Sequence, residues 1–477
     1  MFLINWGEIV GRMDPIFMKY LKEEKNKFAY SVKKFIDILS EPPFYGANEA
    51  GIVRTSKKQT RYIRITDIDE FGRLTDELGA TSEKIDNRYM LYHDDLVIAR
   101  SGNTVGKSYL HDTSKVSDSC IFAGYLINFR INKQIALPYY IFYYLQLSSF
   151  ECWKNATMRL AGQPNINAQE YKNMLVPVPP MSIQQQIVEI MDDAYEKKRQ
   201  KEQAANELLN SINSYLLDEL GIVMPLEEEN TLKNRMFVAG SNSVLGGRFD
   251  PKKYTCKYQQ LFSAIENSPY RKKYLRDIIT LDISGNWGLD ETETDSDLVT
   301  CLTIRATEFD NRFNLDLENN RTKHRKYKPD AYEKIAVSAN DILIEKSGGS
   351  DDQPVGRVAF IESEMVKRNT LAFSNFIHKL VVDESVAYPR YVFEYLRLMH
   401  NIKATEVMQT QTNGIRNLIM REYFGQAIIM PDINIQKRIA NKAAKIRAHA
   451  YELEIEAGTI IDTAKSQVEK ILLEGNT

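Results

Sequence analysis

The chain has 477 residues, 43% hydrophobic and 26% charged, with a formal net charge of −2. That balance is ordinary for a globular protein with several cores, and it excludes collagen-like, low-complexity and disordered classes. Taken alone, near neutrality argues against a nucleic-acid binder, but the average hides local basic clusters. The four scattered cysteines (Cys120, Cys152, Cys256, Cys301) form no C-x-x-C and have no nearby His pair, so neither a disulfide framework nor a zinc site is expected.

In chain order, the opening MFLINWGEIVGRMDP lacks the basic start and long apolar stretch of a signal peptide. No segment approaches the roughly 18 apolar residues of a membrane span, so a cytoplasmic location is expected. EPPF (Glu41–Phe44) resembles the [DNS]-P-P-[YF] tetrapeptide of adenine methyltransferases but starts with Glu, and it reads as a turn. Basic residues then cluster at Lys57, Lys58 and Arg61. The stretch RSGNTVGKSYL (100–110) is one residue short of a phosphate-binding G-x-x-x-x-G-K-[ST] loop. No helical stripe follows it, so it reads as strand, Gly turn, strand. The aromatics of ALPYYIFYYLQ (136–146) fall at helical spacing and read as core. After VPVPPM, apolar residues at near-heptad spacing predict a long helix over 181–222. Its seam runs through Ile183, Ile187, Ile190, Leu208 and Ile212.

Past a connection at 223–246, the chain repeats itself. GRMDP (Gly11) recurs as GRFDP (Gly247), IRITDI (Ile63) as IRATEF (Ile304), and DLVIARSG (Asp95) as DILIEKSG (Asp341). VGK (Val105) recurs as VGR (Val355), and ALPYYIFYYLQ as AYPRYVFEYLR (Ala387). NINAQEYKNMLVPVPPMSIQQQI (Asn165) recurs as NLIMREYFGQAIIMPDINIQKRI (Asn417). Two tandem copies of one unit follow from this order. The layout is a globular module at 1–180, a helix at 181–222, a second module at 247–431 and a second helix at 432–477 with Ile439, Ile446, Leu453 and Ile460 on its seam. The fold class is mixed α+β: two similar globular modules joined by two long helices, expected to pair antiparallel as a coiled coil. About 40 residues at 1.5 Å each make each helix roughly 60 Å long. The repeat also removes the phosphate-loop reading, because the second copy has SGGSDDQPVGRV there, four residues longer and without Ser or Thr after Arg357.

Catalytic signatures are lacking. Glu345-Lys346 of the second copy is Ala99-Arg100 in the first, and the six histidines show no H-x-E or H-E-x-x-H spacing. No catalytic residue, metal ligand or cofactor is expected in this chain. The run RTKHRKYK (321–328) lacks apolar spacing and reads as a loop for phosphate contacts.

The doubled strand–Gly-turn–strand, the N-[IL]-x(4)-Y…P…I-Q segment and the long helix after each together resemble the specificity subunit of type I restriction–modification systems. The likeness covers both copies; the second departs at Asp432, where Pro180 stands in the first, and in its longer Gly turn. The resemblance implies two target-recognition domains, each reading half of a split, asymmetric site in double-stranded DNA. It implies two methyltransferase subunits docked on the paired helices, with S-adenosylmethionine held by those partners, and restriction subunits using ATP and Mg where present. Polar loop residues are the candidate readers. In the first module these are Lys57, Lys58, Gln59, Arg61, Asn103, Thr104, Gln163 and Asn165. In the second they are Lys323, Arg325, Lys326, Ser350, Asp351, Asp352, Gln353, Gln411 and Asn413. Asn165 and Asn417 match between copies, which favours a shared structural job such as a helix cap. Two other classes compete: a catalytic DNA methyltransferase or nuclease fusion, and a coiled-coil adaptor that touches no DNA.

Overall fold

Short runs of β-branched and aromatic residues become strands where another run completes their hydrogen-bond ladder. The clearest case is Asp95–Ala99, buried along its whole length. A computed structural model describes residues 15–24, 27–75, 78–158, 164–226, 231, 236–238, 240, 248, 250–310, 312–349, 354–412 and 414–475. The chain forms two compact units, Met1–Gln203 with Leu453–Thr477, and Ala204–Glu452.

In the first unit Asp95–Ala99 pairs antiparallel with Leu126–Arg130 on one side and Ser108–Leu110 on the other, with Phe44–Tyr45 beyond Leu126–Arg130. A second four-stranded sheet runs Gly51–Val53, Ala80–Ser82, Arg61–Ile63, Cys120–Phe122, its last pair parallel. EPPF is an irregular approach to the strand Phe44–Tyr45, with Glu41 paired to Arg130 at 2.6 Å.

The second unit repeats this plan. Ile342–Glu345 lies between Ile377–Val382 and Val358–Phe360, and Val299–Ile304 runs parallel to Leu371–Phe373. The register matches across copies: Arg61 faces Cys120 where Leu302 faces Leu371. One expectation is corrected here. The basic run at 321–328 is not a loop, because His324–Tyr327 forms a strand against Val299–Leu302. Charge alternation hides this: Tyr327 is buried, while the charged residues lie along the sheet's edge strand, where polar side chains are tolerated.

The aromatic helices form where the repeat predicts, each opened by a proline in its first turn, Pro138–Tyr144 and Pro389–Asn401. Tyr140 and Tyr144 donate to the carbonyls of Pro177 and Leu175 at 2.7 and 3.2 Å. Tyr391 and Tyr395 do the same to Ile429 and Ala427 at 2.6 and 2.9 Å. Each pair therefore fastens the helix to the last strand of its module while its ring fills the core.

The long helices span Met181–Leu220 and Ile433–Glu474. In the first unit Ile187, Met191 and Ala194 share a core with Ile461, Val468 and Leu472. In the second, Ile212, Leu216 and Leu220 share one with Ile439, Ala440 and Ala443. Early turns of one helix thus meet late turns of the other, which is antiparallel pairing. Ile183, Ile190, Leu208, Ile446, Leu453 and Ile460 are half-buried along the same seams, whereas Ile187, Ile212 and Ile439 are fully enclosed. Seam residues hold the chain to itself and present little surface to another subunit. Among the described residues no helix is long and apolar enough to cross a membrane.

A glutamine starts each long helix. Gln184, 1% exposed, donates to the carbonyls of Pro179 (2.9 Å) and Ile135 (3.1 Å) and accepts from Leu137 N–H (2.8 Å). Gln436 likewise donates to Pro431 (2.8 Å) and accepts from Tyr388 N–H (2.9 Å). Replacing Gln184 by Ala leaves buried backbone groups without partners, and denaturant titration is expected to show a loss of about 1–3 kcal/mol per unsatisfied group. A second test concerns Glu394, whose carboxylate is fully buried between Arg397 (3.0 Å) and Arg447 (2.7 Å). Burial alone raises this carboxyl, but the two guanidiniums overcome it and hold it below the ordinary range. Its contribution is then present at neutral pH and is lost as pH falls below the unfolded value of about 4.3. Glu394→Gln should cost about 3–5 kcal/mol at pH 7, because two guanidiniums lose their partner. It should also flatten the fall in stability on acidification.

Candidate nucleic-acid interface

In the first module a turn at 54–60 presents cations. Arg54, almost fully buried, donates to the carbonyls of Gln59 (2.9 Å), Leu78 (3.2 Å) and Lys57 (2.8 Å) and to Asp118 (2.9 Å). The Gln59 side chain accepts from the N–H groups of Thr55 and Ser56 at 2.9 and 3.1 Å. These bonds set the turn, so Gln59 serves as its brace, while the Lys57 and Lys58 side chains extend into solvent. Arg61 differs from both lysines. It lies on the buried strand Arg61–Ile63, 6% exposed, with Nη2 on the Thr75 carbonyl at 3.2 Å. A guanidinium so enclosed cannot meet the backbone of a duplex at the surface.

The Gly turn follows the same logic. Gly102 (φ 76°) and Gly106 (φ 87°) take left-handed conformations that residues with a Cβ rarely adopt. Between them, Asn103 is exposed and Thr104 bonds the Ser101 carbonyl at 3.3 Å. Lys107, the apparent phosphate lysine, is engaged internally on the carbonyls of Ile65 and Ile68. In the second copy Arg357 takes that place, on Phe309 (2.8 Å) and Ala306 (3.1 Å), with Glu345 as an added buried partner at 2.8 Å. These four carbonyls come from the third and sixth residues of IRITDI and IRATEF, on either side of one 3₁₀ turn, so the cation is a brace beneath each Gly turn.

The matched asparagines are corrected in detail. Asn165 bridges Ser101, and Asn417 pairs in register with Ser347, whose hydroxyl bonds its side chain at 2.5 Å. Their shared job is to close the strand beyond the Gly turn. The helix cap in the first copy is Asn167, which accepts from Glu170 N–H at 3.0 Å while Glu170 caps it in return.

In the second module, Arg325 lies over the Trp287 ring at 5.2 Å, donates to the Trp287 carbonyl at 3.1 Å and pairs with Asp290 at 3.1 Å. Lys326 donates to the Glu293 carbonyl. Hydrogen bonds from Thr292 hold the Asp290 carboxyl below its usual range. Arg325 and Lys326 therefore pin the segment 286–293 along the edge strand, and Lys323 remains exposed with no ion pair among the described residues. Gln411 is exposed on the strand Gln409–Thr412. Gln163, Ser350, Asp351, Asp352, Gln353 and Asn413 lie outside the described residues. The sequence reading missed two surface groups: Trp287, and Tyr45, which carries the Arg100 guanidinium 4.9 Å from its ring. Trp287 stands alone in a polar stretch and Tyr45 directly follows Phe44, and neither setting signals a surface role. Lys346, at the position matching Arg100, donates to Ser284 Oγ at 2.7 Å, and burial pushes its pKa down. Among the described residues no group of His, Cys, Asp and Glu is arranged to hold a metal ion.

Residues 55–210 match the family model of the type I restriction modification DNA specificity domain. Three solved structures are similar along the chain, each covering 94% of it and 97% of their own length. One comes from work on complex assembly and conformational transition of the type I R-M system, at 14% identity and a TM-score of 0.53, and shows a shared fold. The others are the HsdS subunit from Thermoanaerobacter tengcongensis (14%, TM-score 0.40) and the type I restriction–modification S subunit from M. genitalium (10%, TM-score 0.44). No curated protein sequence matches the chain.

The brace under the Gly turn is directly testable. Lys107→Met should lower stability by about 1.5–3 kcal/mol in chemical denaturation, and Lys107→Arg, the residue of the second module, should recover it.

Proposed function

We propose that this chain, whose residues 55–210 match the type I restriction modification DNA specificity domain, reads the two halves of a split, asymmetric site in double-stranded DNA, one with each module. The observation that carries this reading is a scaffold built twice with its outer loops changed. Lys107 and Arg357, Tyr140 and Tyr391, and Gln184 and Gln436 make the same contacts in both copies. The polar residues around them differ. A repeated frame with divergent loops is what two readers of different sequences need, because base edges discriminate through side-chain identity and phosphates only set the register.

The chain itself supplies recognition and no chemistry. Adenine methylation would belong to methyltransferase subunits carrying S-adenosylmethionine, two per chain in keeping with the two modules. ATP- and Mg-dependent cleavage would belong to restriction subunits where these join. In the first module Lys57, Lys58, Asn103 and Thr104 are the accessible contacts, and in the second Lys323 and Gln411.

Co-expression with a methyltransferase subunit of the same system, followed by sequencing of modified bases, tests the reading. A two-part motif with N6-methyladenine in each half and a constant gap is expected. One continuous motif, or methylation unaffected by deleting this chain, would overturn it. Paired substitution of Lys57 and Lys58 by Ala should weaken DNA binding about equally for all sequences and reduce the salt slope by about 2. Lys323→Ala should reduce it by about 1, and neither change should alter the motif read.

A further inference from the structure

Arg61 poses a problem that the DNA-reading function leaves unanswered. The residue is 94% buried, its Nε has no hydrogen-bond partner, and its Nη2 meets the Thr75 carbonyl at 3.2 Å. No carboxylate pairs with it among the described residues. Burying an ion without a counter-charge costs several kcal/mol as an order of magnitude. The fold does not require a cation there, since the same strand position in the second module is Leu302, equally buried and in the matching parallel register.

The guanidinium lines a cleft of about 830 Å³ that lies wholly within the first unit. Of the other cations around this cleft, Arg54 is paired with Asp118, Lys115 with Asp112 and Arg199 with Glu196. Lys57, Arg61 and Arg73 have no ion-pair partner among the described residues, and Phe71, Leu74 and Tyr109 provide apolar wall beside them. A volume of this size holds a small organic ligand. An Arg fork with free N–H groups is the protein's best match to a phosphate's paired oxygens. Gly79 leaves the guanidinium room, since a Cβ there would stand 3.2 Å from Arg61 Nε.

We infer that the first module's cleft binds a small phosphate-bearing molecule of nucleotide size, with Arg61 as the buried anchor for its phosphate. The ligand is distinct from the DNA target, because an arginine only 6% exposed can be reached by a molecule that enters the cleft but not by a duplex lying across the surface. Its phosphate would complete the hydrogen bonding of Arg61, and Arg73 would add charge from the cleft's lining. The second module, with Leu302 in place of the anchor, would lack the site.

Calorimetric titration of the full chain with inorganic phosphate and with adenosine monophosphate tests this. Saturable one-to-one binding of at least one probe with Kd below about 1 mM is expected. Arg61→Leu, which installs the second module's own residue, should weaken it at least about tenfold, as loss of a charge-assisted hydrogen bond requires. Arg61→Lys, which keeps the charge without the fork, should fall between and guards against a folding defect in the leucine variant. Binding of neither probe, or equal binding by wild type and both variants, would overturn the inference. If neither probe binds and Arg61→Leu instead abolishes duplex binding, Arg61 belongs to the DNA interface. The cleft proposal then falls while the DNA-reading function stands.

Discussion

A buried glutamine amide stands where each strand-rich module gives way to its long helix. Gln184 and Gln436 sit one turn inside those helices, beyond the last strand of each module, and bond the backbone of the loop that opens the aromatic helix. Two amide donors and one carbonyl acceptor match backbone groups that would otherwise be buried without partners. This fixes the helix start against the aromatic helix, whose tyrosines in turn fasten the final strand. A hydrophobic residue could fill the volume but could not fix the register. The P…I-Q pattern is the sequence trace of that lock.

The interior of the modules is conservative and the rim is not, and the physical reason lies beneath the Gly turn. Lys107 and Arg357 reach inward to the carbonyls that end a neighbouring 3₁₀ turn, so the strand pair is tied down from below. The sequence of the turn above is four residues longer in the second copy, while the strand pair beneath it is kept. The same separation holds at the 54–60 turn, where Arg54 and Gln59 do the bracing and Lys57 and Lys58 are left to the solvent. Recognition loops built this way can change sequence while their scaffold stays fixed.

Some of the cations that make the overall charge near-neutral are neutralised within the chain. Arg397 and Arg447 flank Glu394, Arg357 faces Glu345, Arg54 faces Asp118, and Arg64 and Arg305 close matched turns on Asp67 and Glu308. Exposed lysines such as Lys57, Lys58 and Lys323 have no ion pair among the described residues.

The sequence alone determined the duplication, the order of strand, Gly turn, aromatic helix and long helix in each copy, and the seam of the long helices. All of these are written in local periodicity and in the offset between copies. It also ruled out a phosphate loop, since a cradle whose spacing changes between copies cannot be one. Tertiary structure decided what each polar side chain does. Lys57 and Arg61 stand four residues apart in one basic cluster, yet one is solvated and the other enclosed, because strand Arg61–Ile63 is covered on both edges by residues distant in the chain. The 321–328 run became a strand because Val299–Leu302 offered it a ladder, and Arg325 turned to Trp287 and Asp290 for the same reason. The cap fell to Asn167 rather than Asn165, since Ser101 had already drawn Asn165 into a bridge. Periodicity reports which face of an element is apolar, but the partner of a charge is set by whichever distant backbone or side chain arrives beside it, and no local pattern records that.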